Sequence, residues 1–121
     1  MLPAVNRLRT SSDFARTVRH GRRSGNSLVV VYFLIDDSIH EADLCTKVGF
    51  VVGKKVGNSV VRHTVARKLR HVVRDILPEL HPGTLVVRAN PAAATASSND
   101  LHEALVRAFQ RAHVYRTEQE R

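Results

Sequence analysis

The sequence predicts an α+β fold, an α/β two-layer sandwich in which helices pack on a single sheet in the order α-β-β-(β)-α-β-α. Two observations carry this expectation. Short runs rich in valine, isoleucine and aromatic residues alternate with longer segments whose apolar residues recur at helical spacing. Glycine, proline and hydroxyl or amide residues punctuate the boundaries between them. The chain has 121 residues, enough for one modest core and not two. One domain over residues 1–115 is expected, followed by a frayed tail from Arg116 (RTEQER).

The elements follow in order. Ser11, Ser12 and Asp13 form a helix start, with a hydroxyl cap and an acid in the first turn. Phe14 and Val18 share one face, and Gly21 stops the helix after Arg19 and His20, so a helix is expected over about Ser12–His20. Arg22–Ser27 has room for a short edge strand. Leu28–Ile35 (LVVVYFLI) is apolar at both parities and reads as a central strand. Asp36–Asp43 is a polar connection. Leu44–Val52 (LCTKVGFVV) reads as a second strand paired antiparallel with the first. After a turn at Gly53–Asn58, Asn58 or Ser59 caps a helix that Pro78 ends near Leu77. Thr84–Ala89 is a further strand. The last helix starts near Asp100, with Glu103 placed for a capping box and Leu101, Leu105 and Phe109 as its apolar stripe.

Charge sets the function class. Nineteen Lys and Arg stand against 11 Asp and Glu, a formal +8 at pH 7. Such a field attracts polyanions, nucleic acid first among them. An anionic membrane would need an apolar insertion face or a lipid anchor as well. The longest apolar run is too short to span a bilayer, and Arg7, Arg9 and Asp13 interrupt any secretory h-region. A cytoplasmic protein with no membrane partner is expected. The single cysteine, Cys45, leaves no disulfide partner and no multi-thiolate zinc site. At the start of a strand it reads as a small buried hydrophobe.

Residues 54–75, KKVGNSVVRHTVARKLRHVVRD, concentrate the charge. At about 100° per residue, Val61, Val65, Leu69, Val72, Val73 and Ile76 form one stripe that must bury. Arg62, His63, Arg67, Arg70 and Arg74 fall on the adjoining arc, and no acid interrupts it from Asn58 to Arg74. Like charges at i,i+4 cost about a few tenths of a kcal/mol per pair. A face that accepts this repeatedly either is simply solvated or meets phosphate, and the second reading explains more. Lys54, Lys55 and the amides after the Gly57-Asn58 turn add an anion-attracting entry to the helix. The order is not that of a P-loop, so nucleotide hydrolysis is a weak reading.

KKVGNSVVRHTVARKLR resembles the signature of the bacterial ribonuclease P protein family, K-K-x-G-N-A-V-x-R-N-R-x-K-R-x-x-R. Lys54, Lys55, Gly57, Asn58, Val60, Arg62, Arg67 and Arg70 stand at matching positions. NRLRTSSDF, at Asn6–Phe14, is similar to the family opening N-R-L-x-x-x-x-D-F, and the likeness runs to about Tyr115. His63, Thr64 and Ala66 depart from the pattern, which has Asn, Arg and Lys there. His63 keeps a donor for phosphate or base.

The resemblance implies an RNA-binding subunit that assists a catalytic RNA in removing the 5′ leader from precursor tRNA. Its partners would be that RNA and precursor tRNA. It implies no catalytic residue and no metal site in the protein, with magnesium ions acting through the RNA. It implies RNA contacts at Lys54, Lys55, Asn58, Arg62, His63, Arg67, Arg70 and Arg74. It implies a leader cleft with Phe14, Tyr32 and Tyr115, the platform being smaller where Val18 replaces an aromatic. It also implies a left-handed β-α-β crossover through the basic helix, against the usual preference. From the residues alone, Phe14 fits a core position equally well, and a strand aromatic such as Tyr32 is most often core.

The remaining candidates carry less. The seven histidines show no metal-ligand spacing; His81 reads as a loop residue, and His102 and His113 as solvent-facing on the last helix. Asp36, Asp37, Glu41 and Asp43 form an acidic connection better read as a solvated loop than as a cation site. No pair offers a nucleophile with its base. A ribosomal-protein-like or assembly-factor module would also explain the charge, though not the GNSVVR turn with Phe14 and Tyr32. A protein-only nuclease would need acids gathered at the basic face. A helix-turn-helix would not need the strand-rich middle.

Overall fold

The computed structural model describes residues 2–35 and 45–115. The acidic connection and the tail therefore lie outside the described residues. Four strands form one sheet: β1 (Arg22–Gly25), β2 (Val29–Leu34), β3 (Thr46–Val51) and β4 (Gly83–Ala89). Their spatial order is β1-β2-β4-β3. β1 and β4 each pair antiparallel with β2, and β3 pairs parallel with β4. Asn26 closes the first hairpin: its side-chain oxygen accepts from the backbone N–H groups of Leu28 and Val29 at 3.0 and 3.1 Å.

The expected antiparallel pairing of the second long strand with the first is overturned, because β4 lies between them. β4 buries residues of both parities, Leu85, Val87 and Ala89 on one and Val86 on the other. A strand with this pattern belongs at the centre, where both ladder edges and both faces are covered. β3 exposes Lys47 and Val51 and takes the edge. That edge is partly closed by the amino-terminal segment, where Leu8 N–H donates to the Val48 carbonyl at 3.0 Å.

Three helices flank the sheet: α1 (Ser11–His20), α2 (Ser59–Ile76) and α3 (Ser98–Arg111). α2 is the crossover between β3 and β4. Two caps differ from expectation. Thr10, rather than Ser11, caps α1, its Oγ1 accepting from Asp13 N–H at 3.2 Å. α3 starts earlier than expected, capped by Ser97 with Asp100 as the reciprocal partner instead of Asp100 with Glu103. A short aspartate at the third helical position reaches the cap N–H, so no glutamate is needed.

The period-two pleat of the strands divides the core in two. Val29, Val31, Phe33, Val48, Leu85 and Val87 face α2 and α3, which contribute Val65, Leu69, Val73, Leu101, Leu105 and Phe109. Val30, Tyr32 and Val86 face the other way, toward Leu8 and Phe14. α1 is fixed there by Thr17, whose hydroxyl lies 2.8 Å from that of Thr84 on β4.

Candidate nucleic-acid interface

The basic helix is aimed by its entry turn. Val56 is buried and donates its N–H to the Gly53 carbonyl at 3.1 Å, so the turn is pinned from inside and Lys54 and Lys55 stand exposed. A Cβ on Gly57 would lie 2.9 Å from Val61 Cβ, and the residue's φ is 157°, so glycine is required twice over. Asn58 Oδ1 accepts from Val61 N–H at 2.9 Å. One of the expected RNA contacts thus has its side-chain oxygen committed to the N-cap.

Along α2, Val65, Leu69, Val72, Val73 and Ile76 bury as the spacing requires, while Val61 is half-buried against the same core. This anchors the polar arc outward. His63, Arg67 and Arg74 are exposed; Arg62 and Arg70 are half-buried along one flank. Among the described residues no carboxylate pairs with these cations.

That flank opens onto a cleft of about 520 Å³. Arg62, His63, Ala66 and Arg70 form one wall, Arg7, Leu8 and Phe14 the other, and Val48, Gly49 and Phe50 of β3 lie between. Arg62 Nε is buried with no hydrogen-bond partner among the described residues. A buried guanidinium donor is costly unless an acceptor reaches it, and a phosphate oxygen supplies acceptor and countercharge together.

Gly49 sets the position of Phe14. A Cβ there would sit far inside van der Waals contact with Phe14 Cζ and Cε1, so the ring lies directly on the strand backbone. Phe14 remains half-exposed. Tyr32 lies on the same face but is only 7% exposed, and the Arg88 guanidinium stands 5.9 Å from its ring centroid. Tyr32 is therefore buried within this face and does not line the cleft, and Phe14 is the open aromatic ring. Tyr115 is not brought to them. It packs on the opposite core, edge-on to Phe109 at 6.2 Å, after His113 turns the chain back at φ 56°. Burial, and then the charge of Glu79, push its phenol pKa up from the ordinary value.

Gly49, Arg7 and Arg88 complete this face and were not among the sequence candidates. The signal for Gly49 was present: an isolated glycine inside a strand pattern marks close approach by another group. Elsewhere, Cys45 precedes β3 and is half-buried rather than sealed in the core, its Sγ 3.4 Å from the Val5 carbonyl. His102 and His113 are exposed. Among the described residues no group of three or more His, Cys, Asp or Glu could hold a metal ion, and no helix is long and apolar enough to cross a membrane.

Comparison with known proteins agrees along the chain. A family model described as Ribonuclease P matches residues 2–113. A protein named "Ribonuclease P protein component" from Mycobacterium avium is 46% identical over 112 residues, covering 92% of this chain and 94% of the relative. One of the same name from Streptomyces griseus is 48% identical over 116 residues, with the same coverage of both chains. Among solved structures, the Staphylococcus aureus RNase P protein superposes with a TM-score of 0.82 at 23% identity, over 92% of this chain and 98% of that one. The Thermotoga maritima RNase P protein gives 0.74 at 23% identity, over 87% and 96%. At those identities the two structures establish the fold.

Proposed function

Because this chain belongs to the ribonuclease P protein family, we propose how its surfaces divide the work of that particle. It is the protein component of ribonuclease P, an RNA-binding subunit that partners the RNA subunit in removing the 5′ leader from precursor tRNA. The domain that does this spans residues 1–115 and acts in the cytoplasm.

The contact with the RNA subunit is assigned to the ridge of α2 and its entry turn: Lys54, Lys55, Asn58 through its amide, His63, Arg67 and Arg74. The single-stranded leader is assigned to the cleft between α1 and α2. There Phe14 offers a face to a base without reading its identity, which suits a protein that serves many precursors; such stacking is worth about 1–3 kcal/mol per base. Arg62 and Arg70, on the wall opposite Phe14, neutralise the leader phosphates where ridge and cleft meet. Hydrolysis of the phosphodiester is assigned to the RNA, where bound magnesium would supply Lewis-acid chemistry. The protein's part is to hold the leader in register and to lower the electrostatic cost of bringing two polyanions together.

The observation that carries this reading is that a cationic arc of α2, free of acids from Asn58 to Arg74, shares a cleft with a half-exposed aromatic ring. The test is Phe14→Ala in the reconstituted particle. Affinity for precursor tRNA should fall by roughly 5- to 150-fold, the factor equivalent to one lost stacking contact, with mature tRNA affected little. Equal losses for both would show Phe14 to be a core residue only.

A further inference from the structure

Helix α2 is a ridge with a groove on each flank. Arg62, Ala66 and Arg70 line the leader cleft. Arg67, Lys68, His71 and Asp75 line a second groove of about 450 Å³, closed by Ser98, Asn99 and His102 of α3. At about 100° per residue the two sets fall on opposite flanks, with Arg74 on the crest between them. We propose that the α2–α3 groove binds a backbone phosphate of the RNA subunit, separately from the leader cleft. This rests on the functional reading above and extends the RNA footprint from α2 onto α3.

The groove is polarised along its length. Lys68 Nζ donates to the Ala96 carbonyl at 3.2 Å, which ties α2 to the segment entering α3 and fixes the ammonium beside Ser98 and Asn99. An ammonium has three donors, so this bond leaves two for a ligand. The α3 cap uses Ser97 and Asp100, and the side chains of Ser98 and Asn99 take no part in it. Asp75 lies two helical turns beyond Lys68, about 10 Å along the axis at about 1.5 Å per residue. The cationic end therefore gathers Arg67, Lys68 and the neutral donors Ser98 and Asn99, with His71 and His102 between that end and the acid. Among the described residues no carboxylate pairs with Arg67 or Lys68. A phosphodiester fits this chemistry: one negative charge and several acceptor oxygens. The leader strand is already placed on the other flank, so the RNA subunit is the source.

Asn99→Asp with His102→Glu tests the proposal. Both positions are exposed, and acids near the start of α3 suit its dipole, so the fold is retained; the unfolding midpoint checks this. The full chain is titrated with a bacterial ribonuclease P RNA over a salt series. The double variant should bind at least about tenfold more weakly, with a log–log salt slope shallower by about one, as for one lost phosphate contact. The ratio of precursor to mature tRNA affinity should not change. Lys54→Ala with Arg74→Ala, on the turn and crest, is the reference. Weakening by the reference alone would overturn the groove and leave the α2 reading intact. No effect from either pair would overturn both. A changed precursor-to-mature ratio with unchanged RNA-subunit affinity would place the leader in this groove and overturn the assignment.

Discussion

Gly49→Ala is expected to dislodge Phe14. The new Cβ would overlap Phe14 Cζ and Cε1, and Cε2 would stand 3.0 Å away. Ordinary carbon contacts need about 3.5–4.0 Å, so the ring must move by more than 1 Å, roughly. β3 cannot yield instead. Gly49 is paired with Val86 in the parallel ladder, and Leu8 holds the preceding residue, Val48, from outside. Overpacking a sealed core costs about 1–3 kcal/mol. Phe14 is half-exposed and can swing toward solvent, so the low end applies, near 1 kcal/mol. For a domain of this size that lowers the melting temperature by roughly 4 °C. The functional loss should be larger, because a displaced ring no longer stacks on the leader, and precursor affinity should fall by nearly as much as in Phe14→Ala. In the Phe14→Ala background, Gly49→Ala should cost almost nothing, since the clash is gone. Thermal unfolding and paired precursor and mature tRNA titrations of the two single variants and the double variant decide it. Full leader discrimination in Gly49→Ala, or additive losses in the double variant, would refute the placement of Phe14 on Gly49.

Three further outcomes follow from the same geometry. Arg67→Ala should weaken binding to the RNA subunit, and Arg62→Ala with Arg70→Ala binding of precursor tRNA, flattening the salt dependence by about one unit of slope in the first case and about 1.4 in the second, as for one duplex and two single-strand phosphate contacts; an unchanged slope in either would move that contact surface elsewhere. Asn58→Ala should lose the α2 cap and destabilise the protein by about 1 kcal/mol, while Asn58→Ser retains most of it, as measured by chemical denaturation. Tyr115 ionises above the ordinary tyrosine value of 10.0 because burial, then Glu79, disfavours the phenolate. Its contribution to stability is therefore complete below pH 10 and lost as pH rises through the raised value. Tyr115→Phe should lessen the alkaline loss of stability, seen in melting temperatures across that range.

Much of the interface could be read from residue order because its determinants are local. The valine stripe of α2, the Gly57-Asn58 turn and the acid-free arc need only helical periodicity and cap chemistry. The position of β4 was not legible. Leu28–Ile35 and Thr84–Ala89 are both short and apolar at their centres, and nothing in either states which strand it will adjoin. Residue order favours pairing of strands adjacent in sequence, whereas the parallel return through α2 places β4 between them. The burial of Tyr32 is illegible for a related reason: a run buried on both faces hides which aromatic stays open, and only the approach of Arg88 and Leu8 decides it. The resemblance places Tyr115 with the cleft, whereas the reversal at His113 turns it toward Phe109 on the other face. The α2–α3 groove had no local signature, since Lys68 and His102 meet only through packing.

Cleavage of a precursor tRNA at low magnesium bears most directly on the claim that the chain assists an RNA catalyst through binding alone. The protein alone, a bacterial ribonuclease P RNA alone, and the two together would be compared. Cleavage at the mature 5′ end in the mixture, with none from the protein alone, is the predicted result. Cleavage by the protein alone that survives repurification would contradict it.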